Sequence, residues 1–207
     1  MPTSSIKDKL ITERKKEIVR QYSKDAFNNP DYGKIINIKH FDRIKALIDK
    51  NKVVYGGKFK SEKLQIEPTV MDNVTLDDAV MKEEIFGPIM PILAINNIEE
   101  AISIIRTMEH PLAFYVFSDD KKLQKRLVSE IGFGGGCIND TIIHLATSDM
   151  GFGGFGESGM GQYHGKSGFD TFSHYKSIVN RATWIDVPLR YQPYKDIFHK
   201  IVKMVLK

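Results

Sequence analysis

Cys137, Asp140 and His144 fall in one short stretch of the chain. A thiol, an imidazole and a carboxylate are the parts of a nucleophilic site, in which the ring takes the thiol proton and the acid orients the ring. Nearness in sequence is not arrangement in space, and a cysteine between Gly136 and Ile138, leading into an apolar run, also reads as a small buried hydrophobe. His144, among Ile142, Ile143 and Leu145, reads equally as a satisfied core histidine or as a ring facing a pocket. A second pattern, Gly151-Phe152-Gly153-Gly154-Phe155-Gly156, satisfies G-x-G-x-x-G, with Asp170 nineteen residues beyond its first glycine. That fingerprint binds a pyrophosphate only where the loop opens a helix whose first amides face the ligand. The following run, Gly159 to Gly165, cannot make a stable amphipathic helix, so a loop in which aromatic rings and backbone approach closely is expected instead. The other histidines lack metal-ligand spacing, and no metal is expected.

The elements that must position these groups follow from periodicity. Ile6, Leu10, Ile18 and Val19 predict a first helix with one apolar face, and Ser5 with Asp8 has the spacing of a capping box at its start. A second helix is predicted over His40 to Lys50, where Phe41, Ile44, Leu47 and Ile48 share a stripe. Val53 to Tyr55 and Leu64 to Met71 read as extended segments around the Gly56-Gly57 turn. Beyond Ile85, strand (Ile89–Ile95), helix (Ile98–Met108), strand (Leu112–Phe117) and helix (Lys121–Val128) alternate, as crossover units on a largely parallel sheet do. Ser173 to Val179 reads as an exposed strand. Tyr194 to Lys207 reads as a short helix, with Ile197, Phe198, Ile201, Val202, Val205 and Leu206 at helical spacing against Lys195, Lys200 and Lys203.

The 207 residues suit one domain or slightly more, and 42% hydrophobic content is enough for a sizeable core. The single cysteine excludes an internal disulfide and fits a reducing compartment. No apolar run approaches the length of a membrane span, and the first residues lack a basic segment followed by an apolar one, so a cytoplasmic protein is expected. The formal net charge is +4, but basic residues are mixed with acids, as in Glu13-Arg14-Lys15-Lys16-Glu17. A solvated helix face, rather than a nucleic-acid surface, is the expectation, and the C-terminal helix is expected to dock on protein rather than on a membrane.

Lys82-Glu83-Glu84-Ile85-Phe86-Gly87-Pro88 resembles the E-E-I-F-G-P segment of aldehyde dehydrogenases. The similarity extends both ways: Tyr32-Gly33-Lys34-Ile35-Ile36 with His40-Phe41, then Glu67-Pro68-Thr69 upstream, and Pro111-Leu112-Ala113, Ile138-Asn139-Asp140-Thr141, Phe152-Gly153-Gly154 and Ser158-Gly159-Met160-Gly161 downstream, all in the family's order. Tyr163-His164-Gly165, Gly168-Phe169 and Thr171-Phe172-Ser173-His174 are most similar to the class 3 branch, the fatty and aromatic aldehyde dehydrogenases.

The resemblance implies an α/β fold of the aldehyde dehydrogenase catalytic-domain type, incomplete: residues 1–172 as a partial catalytic domain and 173–207 as a subunit-bridging strand with a C-terminal helix. It implies NAD or NADP as cofactor, with Glu84 accepting hydrogen bonds from ribose hydroxyls and Phe86 flanking the nicotinamide. Asn139 would lie beside the active-site channel, Phe152 would line the aldehyde tunnel, and His144 would border the substrate entrance. In place of the family's usual proline before that phenylalanine stands Gly151, which implies a looser loop. In the family's chain order the nucleophilic cysteine, the glutamate base, the asparagine oxyanion donor and the dinucleotide-binding domain fall upstream of Met1. Cys137 is therefore not that nucleophile, no catalytic residue is assigned, and the chain alone is expected to be inactive. The expected partners are a second copy of the chain or a missing N-terminal half; a non-catalytic module that pairs with a complete family member is the alternative. Apolar surface is expected to be uncovered around Phe86 and Phe152.

Overall fold

A computed structural model describes residues 1–205. Among the described residues there are six helices, α1 (Ser4–Tyr22), α2 (Ile38–Ala46), α3 (Ile98–Arg106), α4 (Lys121–Glu130), α5 (Gly165–Thr171) and α6 (Asp196–Val205), and seven short strands, five of which follow one another between α2 and α3. The strands are β1 (Val53–Tyr55), β2 (Phe59–Lys60), β3 (Gln65–Ile66), β4 (Thr69–Met71), β5 (Ile89–Pro91), β6 (Ala113–Val116) and β7 (Gly135–Ile138). β4 pairs with β5 and β6 with β7 in parallel, whereas β1 joins β4, and β2 joins β3, antiparallel. The result is an incomplete α/β domain with two parallel sheet pieces, of which β6–β7 is joined by the crossover helix α4.

The apolar stripe of α2 builds the main core. Phe41 and Ile44 are fully buried and pack with Ile66, Met71 and Val80 beneath the three-stranded sheet. Asn37 caps this helix by accepting from the His40 amide at 2.9 Å, so it begins two residues earlier than its periodicity predicts. A second core lies between α3, α4 and β6, where Ile102, Val116, Leu127 and Ile131 are buried. Asn97 and Asp120 cap α3 and α4 in the same way.

Several local expectations are corrected. α1 has no Ser5–Asp8 box; its N-cap is Thr3, and the Ser4 amide instead donates to Ile95 O at 2.8 Å. The neighbouring extended chain thus satisfies an end that a side chain was expected to satisfy. The buried residue of α1 is Ile11, which packs with Val70 and Ile92, while Ile6 is exposed. The strand expected over Ile89–Ile95 is regular only to Pro91, although Ile95 returns to a parallel bridge with Thr3. Ser173 to Val179 pairs with no strand within the chain among the described residues. Leu206, assigned to the apolar stripe of the last helix, lies outside the described residues.

On α1, Glu13 pairs with Lys16 at 2.8 Å and Glu17 with Arg20 at 2.5 Å, while Lys7 reaches out of the helix to Asp72 at 2.8 Å. No helix among the described residues is long and apolar enough to cross a membrane.

Candidate functional site

Two groups of expected site residues occupy different parts of the chain. The first is the loop carrying Glu84 and Phe86. Arg43, in the last turn of α2, clamps it: the guanidinium donates to Ile85 O at 2.7 Å and to Glu84 O at 3.3 Å, and pairs with the Glu83 carboxylate at 3.0 Å. Gly87 lets the loop lie against the helix, since a Cβ there would sit 2.9 Å from Ile44 Cδ1. Pro88 O then accepts the Thr69 amide at 2.8 Å and leads into β5. The clamp leaves the Glu84 carboxylate exposed, with no side-chain hydrogen bond or ion pair among the described residues. Phe86 sits at φ 45° and is 77% exposed. A backbone twisted into the left-handed region to present an aromatic ring to the outside is a conformation that a ligand or a covering segment would explain.

The second group gathers around Phe152. The parallel β6–β7 pair places Tyr115 beside Cys137. At the end of β7, Asn139 turns the chain at φ 57°, accepting the Ser118 amide at 2.8 Å and donating to Ser118 O at 3.0 Å. Its side chain therefore fixes the joint between β6 and α4, in an exposed rather than a buried position. Ile142 follows at φ 66°, a conformation that strains a β-branched residue, and a single 3-10 turn over Ile143–Leu145 tucks His144 back under β7. The ring is 8% exposed and its Nδ1 lies 3.4 Å from Cys137 Sγ. Asp140 does not join them; its carboxylate accepts the Thr141 amide at 2.7 Å.

Aromatic rings complete the group. His144 contacts Tyr115 at 5.8 Å and Phe152 at 5.7 Å between centroids, and Phe152 also meets Tyr163 edge-on at 5.5 Å and stacks on His164 at 6.4 Å. Phe152 and Tyr163 exchange backbone hydrogen bonds at 2.9 and 3.0 Å, which ties the two sides of the glycine loop together. Close approach is what the glycines provide: a Cβ at Gly134 would lie 2.3 Å from Gly153 O, and one at Gly153 would lie 2.1 Å from Gly161 O. The loop leads only into a three-residue turn at Gly156–Ser158, so the G-x-G-x-x-G pattern opens no pyrophosphate-binding helix. A recess of about 260 Å³ beside Phe152 is lined by Leu112, Tyr163, Thr171 and Phe172. No cluster among the described residues has the makings of a metal site.

This order of segments also decides the family, because the aldehyde dehydrogenase family model matches residues 3–178. The chain belongs to the aldehyde dehydrogenase family. The 4,4'-diaponeurosporen-aldehyde dehydrogenase of Staphylococcus aureus is 44% identical over 205 residues, covering 98% of this chain and 44% of that protein. Aldehyde dehydrogenase family 3 member H1 of Arabidopsis thaliana is 44% identical over 198 residues, covering 94% of this chain and 41% of its own length. Among solved structures, the substrate-bound state of Staphylococcus aureus AldH superposes with a TM-score of 0.86 at 43% identity, over 99% of this chain and 45% of that one. The chain thus spans less than half the length of these aldehyde dehydrogenases.

Neither hydrogen bonds nor aromatic contacts link the Glu84–Phe86 loop to the Phe152 group among the described residues. His144 and Phe152 touch each other, and Asn139 is joined to them through β7. Arg43 is the positioning residue that motif reading missed. Its signal was present only as a basic residue in the last turn of an amphipathic helix, a common place for a cation. Its actual partners lie about forty positions away.

Proposed function

We propose that this chain is the C-terminal portion of an NAD(P)-dependent aldehyde dehydrogenase of the class 3 type, holding part of the cofactor and substrate sites but not the reacting groups. The observation that carries this reading is an alignment covering 98% of this chain but 44% of its Staphylococcus aureus relative. Glu84 and Phe86 would hold the nicotinamide ribose and ring, the first by accepting hydroxyl hydrogen bonds and the second by limiting ring movement. His144 and Phe152 would border the aldehyde, with Asn139 fixing the strand end behind them. The unpaired Glu84 carboxylate fits a polyol that donates two hydrogen bonds, and a Staphylococcus aureus betaine aldehyde dehydrogenase solved with NAD+ shares this fold with a TM-score of 0.73 and 25% identity. A rat relative, 46% identical over 178 residues, is named dimeric and NADP-preferring, which supports NADP as the alternative cofactor and a two-copy assembly.

In this reading the chain acts only when an N-terminal half supplies the nucleophile and the glutamate base, and the assembly works in the cytoplasm. The second reading, a non-catalytic module pairing with a complete relative, draws on the exposed apolar segment after Phe172, where Tyr175, Ile178, Val179 and Trp184 are each at least 72% exposed. The test is NADH or NADPH formation by the purified chain with a medium-chain aldehyde, before and after co-expression with the N-terminal half of the Staphylococcus aureus relative. No turnover alone and turnover on pairing is expected. Aldehyde-dependent reduction by the chain alone, lost in Cys137→Ser, would overturn the proposal. Stable pairing without turnover would favour the module.

A further inference from the structure

We propose that Arg43 sets the dinucleotide affinity of this site without touching the dinucleotide. It holds the backbone of Glu84 and Ile85 in the conformation that presents the Glu84 carboxylate and the Phe86 ring together, so its loss is felt at the cofactor and not at the aldehyde. The inference rests on the reading of Glu84 and Phe86 as ribose and nicotinamide contacts, and it names the residue that positions them.

Three features of the loop lead to Arg43. The first is alternation. Ile85 is half-buried and packs against the core of Phe41, Ile44 and Met71, while Glu84 and Phe86 on either side of it are exposed. The second is that the Glu84 and Ile85 carbonyls accept hydrogen bonds from Arg43, at 3.3 and 2.7 Å, and from no other group among the described residues. One planar guanidinium thus fixes two successive peptide planes, and the next residue, Phe86, is held at the left-handed φ of 45° that a bulky residue leaves when nothing restrains it. The third is charge. The guanidinium is paired with the Glu83 carboxylate at 3.0 Å, and its side chain is 25% exposed. A neutralised cation whose donors are spent on backbone carbonyls makes a poor phosphate ligand, which assigns Arg43 to the loop rather than to the dinucleotide.

A ligand that needs both side chains meets them already ordered, and removing the restraint makes binding include that ordering. The Glu84 carboxylate remains in such a variant, but it is correctly placed in only a fraction of the molecules, and the apparent affinity falls with that fraction. The aldehyde side is separate, because neither hydrogen bonds nor aromatic contacts join this loop to His144 and Phe152 among the described residues. The two substrates are therefore expected to respond differently to one substitution.

The test uses the chain paired with the N-terminal half of the Staphylococcus aureus relative, and reads NADH binding by titration calorimetry and the aldehyde KM at saturating NAD+. Arg43→Met, checked for folding by circular dichroism, is expected to weaken NADH binding about tenfold, the order of one hydrogen bond to a charged group, with an unchanged aldehyde KM. Arg43→Lys, which keeps the cation and one donor for the carbonyls, is expected to recover most of the loss. Because Arg43 acts through Glu84, combining Arg43→Met with Glu84→Gln is expected to lose less than the product of the two single losses. Independently of any cofactor, cleavage of the unpaired chain after Glu83 and Glu84 by a glutamate-specific protease is expected to quicken in Arg43→Met. Should Arg43→Met fail to fold, Gly87→Ala lifts the same loop, since its methyl group would meet Ile44 Cδ1 and Cγ2 at 2.9 Å, and the same split between cofactor and aldehyde is expected. Native NADH affinity in the variant tested, a parallel rise in the aldehyde KM, strictly multiplicative losses or unchanged cleavage each overturns the proposal. A wild-type pair that binds no NADH overturns the cofactor reading itself, and this assignment with it, whatever the cleavage shows.

Discussion

Asn139 directs both ends of its amide at the backbone of Ser118, and this makes its contribution separable from any contact with substrate. Replacing it with alanine removes two hydrogen bonds at an exposed site, and each is worth about 0.5–1.5 kcal/mol net. Asn139→Ala is expected to lower the urea midpoint by an amount equivalent to about 1–2 kcal/mol, measured by circular dichroism. An unchanged midpoint would show that the joint is held by the Asn139 amide to Val116 O bond alone. Glu84 presents the opposite case, an exposed carboxylate with no hydrogen bond or ion pair among the described residues. In the paired enzyme Glu84→Gln should weaken dinucleotide binding roughly tenfold, because a charge-assisted acceptor is replaced by a neutral one. Titration calorimetry reads this, and unaltered affinity would remove Glu84 from the cofactor site. Asp78 ties one charge to the fold. Hydrogen bonds from the Lys52 ammonium, then from the Thr75 amide, hold its carboxyl below the usual aspartate range. The unfolded chain therefore takes up the proton first as pH falls, so the stabilisation is present above the ordinary carboxylate pKa and is lost on acidification through the lower folded value. Asp78→Asn should cost stability at neutral pH, and the gap between the two urea midpoints should close toward pH ~3. A gap that stays constant with pH would contradict the sign of this shift.

At the scale of elements, α2 does two tasks with opposite faces of a short helix. Phe41 and Ile44 fill the core, while Arg43 holds the segment that presents Glu84. The first task was legible in the sequence because an apolar stripe repeats with the helix period. The second was not, since periodicity says nothing about which distant carbonyl a guanidinium will meet. The same limit explains Ser173 to Val179: a strand is a relation between two segments, and its own alternation cannot create the neighbour. The glycine pattern announced close backbone approach, whereas the contact between Phe152 and His144 is a feature of the fold that no motif spelled out. The cost of filling that approach can be measured. Gly134→Ala puts a methyl group 2.3 Å from Gly153 O and 2.7 Å from Leu112 O, both backbone atoms that cannot swing aside. Overpacking of this kind costs about 1–3 kcal/mol or more, and the variant is expected to melt lower and to expose Phe152 to an apolar dye. Unaltered melting would mean the loop is loose enough to move away.

For the whole molecule, the apolar surface expected around Phe86 is present, and that around Phe152 is reduced because its ring is packed among His144, Tyr163 and His164. The larger uncovered surface lies after Phe172 and includes the sole tryptophan, Trp184, which is 82% exposed. Its emission should be that of a hydrated indole in the isolated chain, and should shift to the blue and resist iodide quenching when a second copy or an N-terminal half covers it. Equal quenching before and after pairing would place the interface elsewhere. The N-terminal end behaves differently. Thr3 pairs in parallel with Ile95, Ile95 N donates to Pro2 O at 3.0 Å, and Met1 lines an apolar groove with Ile98, Phe114 and Leu123. An affinity tag fused ahead of Met1 would therefore leave the protein from inside a strand pairing rather than from a free tail, and a protease sent to remove it would have to work against that edge.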